Sequence, residues 1–347
     1  MDSPEISVVL PVRNGERTLA ATMDALVAQT CTSMEVVIVD DGSTDTTAKI
    51  LAEYDDPRLR MVHQTGHGVW HARKQGIALT TGRYVGFCDA DDLPDRRLYE
   101  TLVTSAKTTG SDMVVTAYRR IARDTGHLLG VEMARRNAPV MHPDRDPHGF
   151  ASVNTAMWNK LFDGGTARRV GKALEVDELR FDPRPRRAED MLFLALCLPW
   201  LRTVSFVDEP LYDYVVRPDA TMTLLTPSEA DDLAGNLAAI RAWVMDHAED
   251  DAEALAGVVD AMAFVHLGLS ALVNMGPSLS RRDARAYWRH MRGRLVREFP
   301  HYRDHTPRAQ VSGKLRAGLW LERCHALLPA ARAYVAYTKT TGQDARW

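Results

Sequence analysis

Cysteine is scarce in this 347-residue chain: Cys31, Cys88, Cys197 and Cys324 lie far apart and form no CxxC pair. That argues against a zinc ribbon or a disulfide framework and points to a reducing compartment. An excess of one charge is missing too. The 43 Lys and Arg residues are intermixed with 46 Asp and Glu, for a net charge of -3, so bulk charge advertises neither nucleic acid nor an acidic membrane. No uninterrupted apolar run reads as long enough to cross a bilayer. The opening MDSPEISVVLPVRN lacks the basic start, apolar core and cleavage site of a signal peptide. A cytoplasmic location is expected, with peripheral membrane contact and a homodimer left open.

What is present is a βα rhythm. ISVVLPV is a compact β-branched run of the kind that forms a buried strand, and MEVVIVDD, RLRMVH, YVGFCDA and DMVVTAY follow it. Between them, ERTLAATMDALVAQ, TDTTAKILAEYD, VWHARKQGIALTT and RRLYETLVTSAKTTG carry helical spacing, with Ser43 or Thr44 placed to cap the second. Strands alternating with helices predict an α/β fold with a mainly parallel sheet and helices on both faces. Ligands bind beyond the carboxyl ends of such strands, where RNGE, DDGSTD and DADD converge. The stretch from about residue 121 to 185 is harder to read, with TAMWNKLF as an apolar island. RRAEDMLFLALCLPW reads as a helix, and TVSFV and LYDYVV as two strands. From Pro227 the chain is Ala/Leu/Arg-rich and helical, and AGVVDAMAFVHLGLSALVNMG reads as a buried helix.

DADD is the sharpest chemical signal. Carboxylates crowded at a strand end repel one another unless a positive group sits among them. Alternating Asp residues offer hard oxygens to Mg2+ or Mn2+, which keep phosphate oxygens in their shell. The plainer reading is a polar loop ahead of a helix, and Asp95 is expected to be such a cap.

The ordered set VVLPVRNGERTLAATMDALVAQT, EVVIVDDGSTDTT and ARKQGIALTTGRYVGFCDADD resembles the nucleotide-sugar-binding half of GT-A glycosyltransferases of family 2. MWNKLF, AEDMLFL and PLYDYVVRPDATMT look like acceptor-side segments of bacterial capsule and exopolysaccharide transferases. The resemblance implies a GT-A domain over residues 1–225, split into a nucleotide-sugar half (1–117) and an acceptor-side half (118–225), followed by a helical region (226–347). It implies an inverting transfer that depends on Mn2+ or Mg2+, from a nucleotide diphosphate sugar, UDP-linked, to a lipid-linked glycan or a small natural product. Pro11, Val12, Arg13 and Asn14 would border the base. Asp41 would bind base or ribose, with Arg73 supporting that pocket. Asp89 and the backbone at Ala90 would face ribose and phosphate, Asp91 the metal, and Arg217 the diphosphate. Asp190 would be the general base, with Glu189 beside it and Trp158 on the acceptor side. Lys74 stands where the family usually has Asn. Trp158 as a buried core residue, and Asp190 as a helix N-terminal residue favoured by the dipole, are the plainer alternatives.

A nucleotidyltransferase would place a Gly-rich basic loop after the first strand, and PVRNGERT has a single Gly. A non-catalytic nucleotide-sugar-binding protein would keep the fold without turnover. His63, His67 and His71 repeat every fourth residue, but Gly66 and Gly68 break any helix there, and GHG is expected to let backbone approach a phosphate. The terminal QDARW matches the Q-x-x-R-W pattern of processive membrane synthases and is read as coincidence. Cys88, in an apolar run, reads as a core residue.

Overall fold

The computed structural model describes residues 3–133, 140–174, 188–216, 226–275, 279–304 and 313–341. β1 (Ile6–Val12) is buried at all seven positions, as a β-branched strand covered on both faces must be. It lies between β2 (Met34–Asp41) and β4 (Tyr84–Phe87), with β3 (Leu59–Gln64) outside β2, and all four run parallel. Beyond them come β5 (Leu93–Pro94), β6 (Met113–Ala122), β7 (Leu128–Glu132), β8 (Val140–Met141), β9 (Lys160–Asp163) and β10 (Val204–Val216). The sheet order is β3-β2-β1-β4-β9-β6-β10-β5, with β7 on β6 and β8 on β10. β9 is antiparallel to both β4 and β6, which makes the sheet mixed. The two strands expected in TVSFV and LYDYVV are one strand, β10, whose register against β6 shifts on either side of Pro210. Proline has no N–H for the ladder, so a register break there is the natural accommodation.

The helices α1 (Leu19–Val27), α2 (Thr47–Ala52), α3 (Val69–Ala78) and α4 (Leu98–Thr109) follow β1, β2, β3 and β5. α2 is not capped by Ser43 or Thr44. Asp45 accepts the Thr47 N–H at 3.0 Å, because Ser43 and Thr44 are bound to Asn14 instead. Asp95 sits ahead of α4 and its carboxylate accepts the Arg97 N–H at 2.9 Å, but Arg97 is the N-cap residue and no side chain caps the helix itself.

The chain divides into two compact units. The first, Met1–Met141 with Thr155–Leu179 and Pro183–Ala220, holds the whole sheet. The second is His142–Asn154, Arg180–Asp182 and Thr221–Trp347. The early segment His142–Asn154, inside the region first assigned to the catalytic domain, thus belongs with the helices of the second unit. Its short helix α5 (Pro147–Ala151) carries His148, whose buried ring donates to the Tyr302 carbonyl at 2.8 Å. The first unit adds α6 (Gly164–Ala173) and α7 (Glu189–Leu196).

In the second unit α8 (Pro227–His247) starts with a capping box made by Thr226 and Glu229. α9 (Ala252–Ala263) continues through a π-helical stretch, Phe264–Ser270, into α10 (Ala271–Met275). α11 (Arg281–Glu298), α12 (Gly313–Arg323) and α13 (Leu327–Thr341) complete the described helices. Among the described residues Ala252–Val273, with mean hydropathy 1.8, is long and apolar enough by length and composition to cross a membrane, although Glu253 and Asp260 interrupt its apolar run. That stretch is 83% buried inside the protein, the pattern of a core helix.

Candidate active site

β1 and β2 end side by side, Val12 against Asp40, and the turns beyond them are tied together. Asn14 adopts a left-handed φ of 51°, which asparagine tolerates better than most residues. Its N–H donates to Ser43 Oγ at 2.9 Å, and its Oδ1 accepts the Thr44 N–H at 2.8 Å. Gly15 and Glu16 donate their N–H groups to Thr47 Oγ1 and Asp45 Oδ2. Pro11 and Val12 are buried within the strand, while Arg13 and Asn14 are exposed. Of the four residues expected to border a base, the last two therefore present side chains at the surface.

Asp41 closes β2. Its Oδ1 accepts from Gln64 Nε2 at 2.6 Å and the His67 N–H at 2.7 Å, and its Oδ2 accepts the Gly68 N–H at 2.8 Å. Burial pushes its acid up, but these bonds and the nearby Arg13 charge outweigh it and hold the carboxyl below its ordinary value. The amides of His67 and Gly68, expected to lie open to a phosphate, are thus taken by Asp41. His63 faces the buried Asp40 at 3.1 Å, and the rings of His67 and His71 lie 5.3 Å apart. Among the described residues no group of three or more His, Cys, Asp or Glu is placed to hold a metal by itself.

α3 follows its N-cap Gly68 and lies tightly on β1: a Cβ added at Gly76 would fall 2.3 Å from Val9 Cγ1. Arg73, one turn earlier on that face, is buried with it. Its Nη2 donates to Asp89 Oδ1 at 2.9 Å. Its Nη1 donates to Asp190 Oδ1 at 2.6 Å and Glu189 Oε1 at 3.3 Å. Arg73 was expected beside a base. It instead joins the aspartate turn after β4 to the acid pair that opens α7. Burial opposes its charge, but the three carboxylates more than reverse this and hold the guanidinium proton more tightly than usual.

One guanidinium among three carboxylates leaves acid in excess. Burial pushes the Asp190 acid up to about 6; Arg73 opposes, the charges of Glu189 and Asp89 add, and Lys160 opposes. A carboxylate poised near neutrality is suited to general-base work. The acid pair is preceded by Ala188 at φ 62°, a left-handed conformation that costs alanine roughly 1–2 kcal/mol.

The turn Asp89–Asp92 closes with the Asp92 N–H donating to the Asp89 carbonyl at 3.2 Å. Asp89, Ala90 and Asp91 are half-buried along it, and Asp92 turns inward. Asp92 Oδ2 accepts from the Tyr212 hydroxyl at 3.0 Å and Oδ1 from the Val215 N–H at 2.8 Å. Burial, with the charges of Asp89 and Asp91, pushes its acid well above the usual carboxylate range. Trp158 is a core residue, which corrects its assignment to the acceptor side. Its ring stacks with Tyr212 at 4.5 Å and Tyr214 at 5.3 Å and meets Tyr118 edge-on, with 6% of its surface exposed. Lys160, Asp92 and Tyr212 were not singled out from sequence. Lys160 is fully buried and donates to the Ala156 carbonyl at 2.6 Å and Asn159 Oδ1 at 2.9 Å. The signal available was a Lys inside the apolar island MWNKLF. Arg217 and the terminal QDARW lie outside the described residues.

The donor set fits a divalent cation of the Mg2+ or Mn2+ type. Hard carboxylate oxygens stand at the turn, and such ions take one or two carboxylates and complete their shell with phosphate and water.

The family model described as glycosyl transferase family 2 matches residues 7–161. The uncharacterized glycosyltransferase YibD of Escherichia coli (strain K12) is 37% identical over 170 residues, 48% of each chain. This chain spans between 48% and 62% of the length of the first curated relatives it matches. Among solved structures, S. aureus TarS 1-349 in complex with UDP-GlcNAc matches with TM-score 0.67 and 19% identity, covering 99% of this chain and 93% of that one. The mannosyltransferase PcManGT from Pyrobaculum calidifontis, in complex with GDP-Man and Mn2+, matches with TM-score 0.52 and 17% identity over 99% and 89%. Residues 7–161 thus match the glycosyl transferase family 2 model, and the sheet with its flanking helices has the GT-A fold of these glycosyltransferase structures.

Proposed function

We propose that the first unit is a metal-dependent, inverting glycosyltransferase that moves a sugar from a nucleotide diphosphate sugar, UDP-linked, to an acceptor hydroxyl. The acceptor is a lipid-linked glycan or a small natural product, and the work is done in the cytoplasm. The observation that carries this reading is the junction at Arg73, where an aspartate from the β4 turn and the acid pair of α7 share one buried guanidinium.

Each residue then has a task. Asp41, held by three donors, keeps hydrogen-bonding capacity on Oδ2 for a base or ribose. Arg13 and Asn14 border that position. Asp91, with Asp89 beside it, would hold Mn2+ or Mg2+, which supplies Lewis-acid stabilisation of the leaving diphosphate. Asp190 takes the proton of the acceptor hydroxyl as its oxygen attacks. Arg73 aims that carboxylate and opposes its protonation. The UDP preference is supported by the UDP-GlcNAc complex of TarS, and metal use by the Mn2+ complex of PcManGT.

Calorimetric titration of UDP, GDP and dTDP, each with and without Mn2+, tests the reading. Binding of UDP that tightens with Mn2+ is expected. Failure of every nucleotide to bind would overturn it, and preference for GDP would move the donor assignment.

A further inference from the structure

The turn that carries Asp89 and Asp91 is fixed at its margins by ordinary strand pairing. β4 precedes it, and β5 follows it, antiparallel to β10 through Tyr212–Pro94 and Asp213–Leu93. The Asp95 N–H donates to the Leu211 carbonyl at 2.9 Å, and Thr22 Oγ1 donates to the Asp92 carbonyl at 2.9 Å. None of these bonds reaches Asp89. That residue's N–H donates at 3.2 Å to the Tyr212 hydroxyl, which in turn donates to Asp92 Oδ2 at 3.0 Å. Asp92 Oδ1 takes the Val215 N–H of β10 at 2.8 Å. One buried chain therefore runs from the backbone of β10, through Asp92 and Tyr212, to the backbone of Asp89. The Asp89 side chain extends it to Arg73 and Asp190. Tyr212 has little freedom to slip, since its ring is fully buried and stacked on Trp158.

A buried tyrosine and carboxylate that only filled space would be replaceable by apolar groups at little cost. These two spend their hydrogen bonds on one backbone amide of the turn and one of β10. Resting on the reading of Asp91 as a metal–diphosphate residue, we propose that Tyr212 and Asp92 are a positioning pair. They touch no substrate and set the pose in which Asp89 and Asp91 meet the diphosphate.

The test compares the parent protein with Tyr212→Phe and Asp92→Asn, each confirmed folded by thermal unfolding. Amide hydrogen exchange at Asp89 is read without ligand, and UDP binding is read by calorimetry with and without Mn2+. Tyr212→Phe is expected to speed exchange at Asp89 about tenfold and to cut the Mn2+-dependent gain in UDP affinity about tenfold, the order of one buried hydrogen bond. Binding without Mn2+, which Asp41 governs, stays unchanged. Asp92→Asn keeps the shape, its oxygen still accepts the Val215 N–H and its NH2 donates to the Tyr212 oxygen in a reversed bond that still holds that ring in place, so the gain is retained to within about threefold. Faster exchange at Asp89 with an undiminished Mn2+ gain would reduce the pair to a packing role and overturn the proposal. So would unchanged exchange in Tyr212→Phe. A loss in Asp92→Asn as large as in Tyr212→Phe would show that charge, not position, is at work. A parent protein with no Mn2+-dependent gain would overturn the proposed function itself, and the pair with it.

Discussion

Each unit sets a carboxylate against arginine, and the two acids are driven in opposite directions. In the second unit Glu322 accepts from Arg292 Nε at 2.9 Å, Arg303 Nε at 2.7 Å and the Tyr302 hydroxyl at 3.1 Å. Burial pushes its acid up, but the bond and charge of Arg303, with Tyr302 and Arg292, bring it below its ordinary value. In the first unit Asp190 shares a single guanidinium with Asp89 and Glu189, and burial wins. The stoichiometry of charge separates them. Two guanidiniums to one carboxylate make a satisfied structural joint. Three carboxylates to one guanidinium leave negative charge in excess, and one of them can hold a proton.

The sharpest way to break this contrast is to neutralise each carboxylate in turn. Asp190→Asn should lower transfer by about two to four powers of ten while UDP binding stays within about twofold, read by donor turnover and calorimetry. Its stability should not fall at pH 7.5. A folded-state acid raised to about 6 gives stability that is full below the unfolded value and is lost as pH rises through about 6, so the ionised group is a cost that the amide removes. Glu322→Gln should do the reverse, lowering stability by about 3 kcal/mol in urea unfolding and leaving UDP affinity unchanged. Its acid is lowered in the fold, so that deficit should shrink as pH falls through the carboxylate range. Next in size, Asp91→Asn should remove the Mn2+-dependent part of UDP binding, about tenfold or more, because one ligand charge is lost. Smallest is Arg73→Lys. It keeps the charge but loses the fork that spans Asp89 and Asp190, so the acid limb of the rate profile should move up by roughly half a pH unit.

The βα order was legible because β-branched runs and helical spacing are local signals, and the helices after β1, β2 and β3 lie where the pattern put them. The acid turn after β4 was legible because its residues are contiguous. What stayed hidden depends on strands remote in sequence. Asp92 and Tyr212 are neighbours because β5 pairs with β10, and Lys160 is buried because β9 lies between β4 and β6. Arg73 reads from the sequence as supporting the base pocket, whereas its bonds go to Asp89, Glu189 and Asp190. No local pattern says that Gly76 lets α3 lie down on Val9 and carry Arg73 to the carboxylates. Trp158 went to the acceptor side by analogy, whereas its surroundings are made by Tyr212 and Tyr214 of β10. The hairpin arm β7, in the stretch that gave no clear periodicity, was not anticipated.

The pH dependence of nucleotide-sugar turnover, with Mn2+ present and the donor chosen by the nucleotide that binds, tests the acid-excess centre most directly. The account predicts a rate that falls as pH drops through about 6, as Asp190 takes up a proton, and a collapse of both rate and limb in Asp190→Asn. An Asp190→Asn protein that keeps the rate and the same acid limb would contradict it.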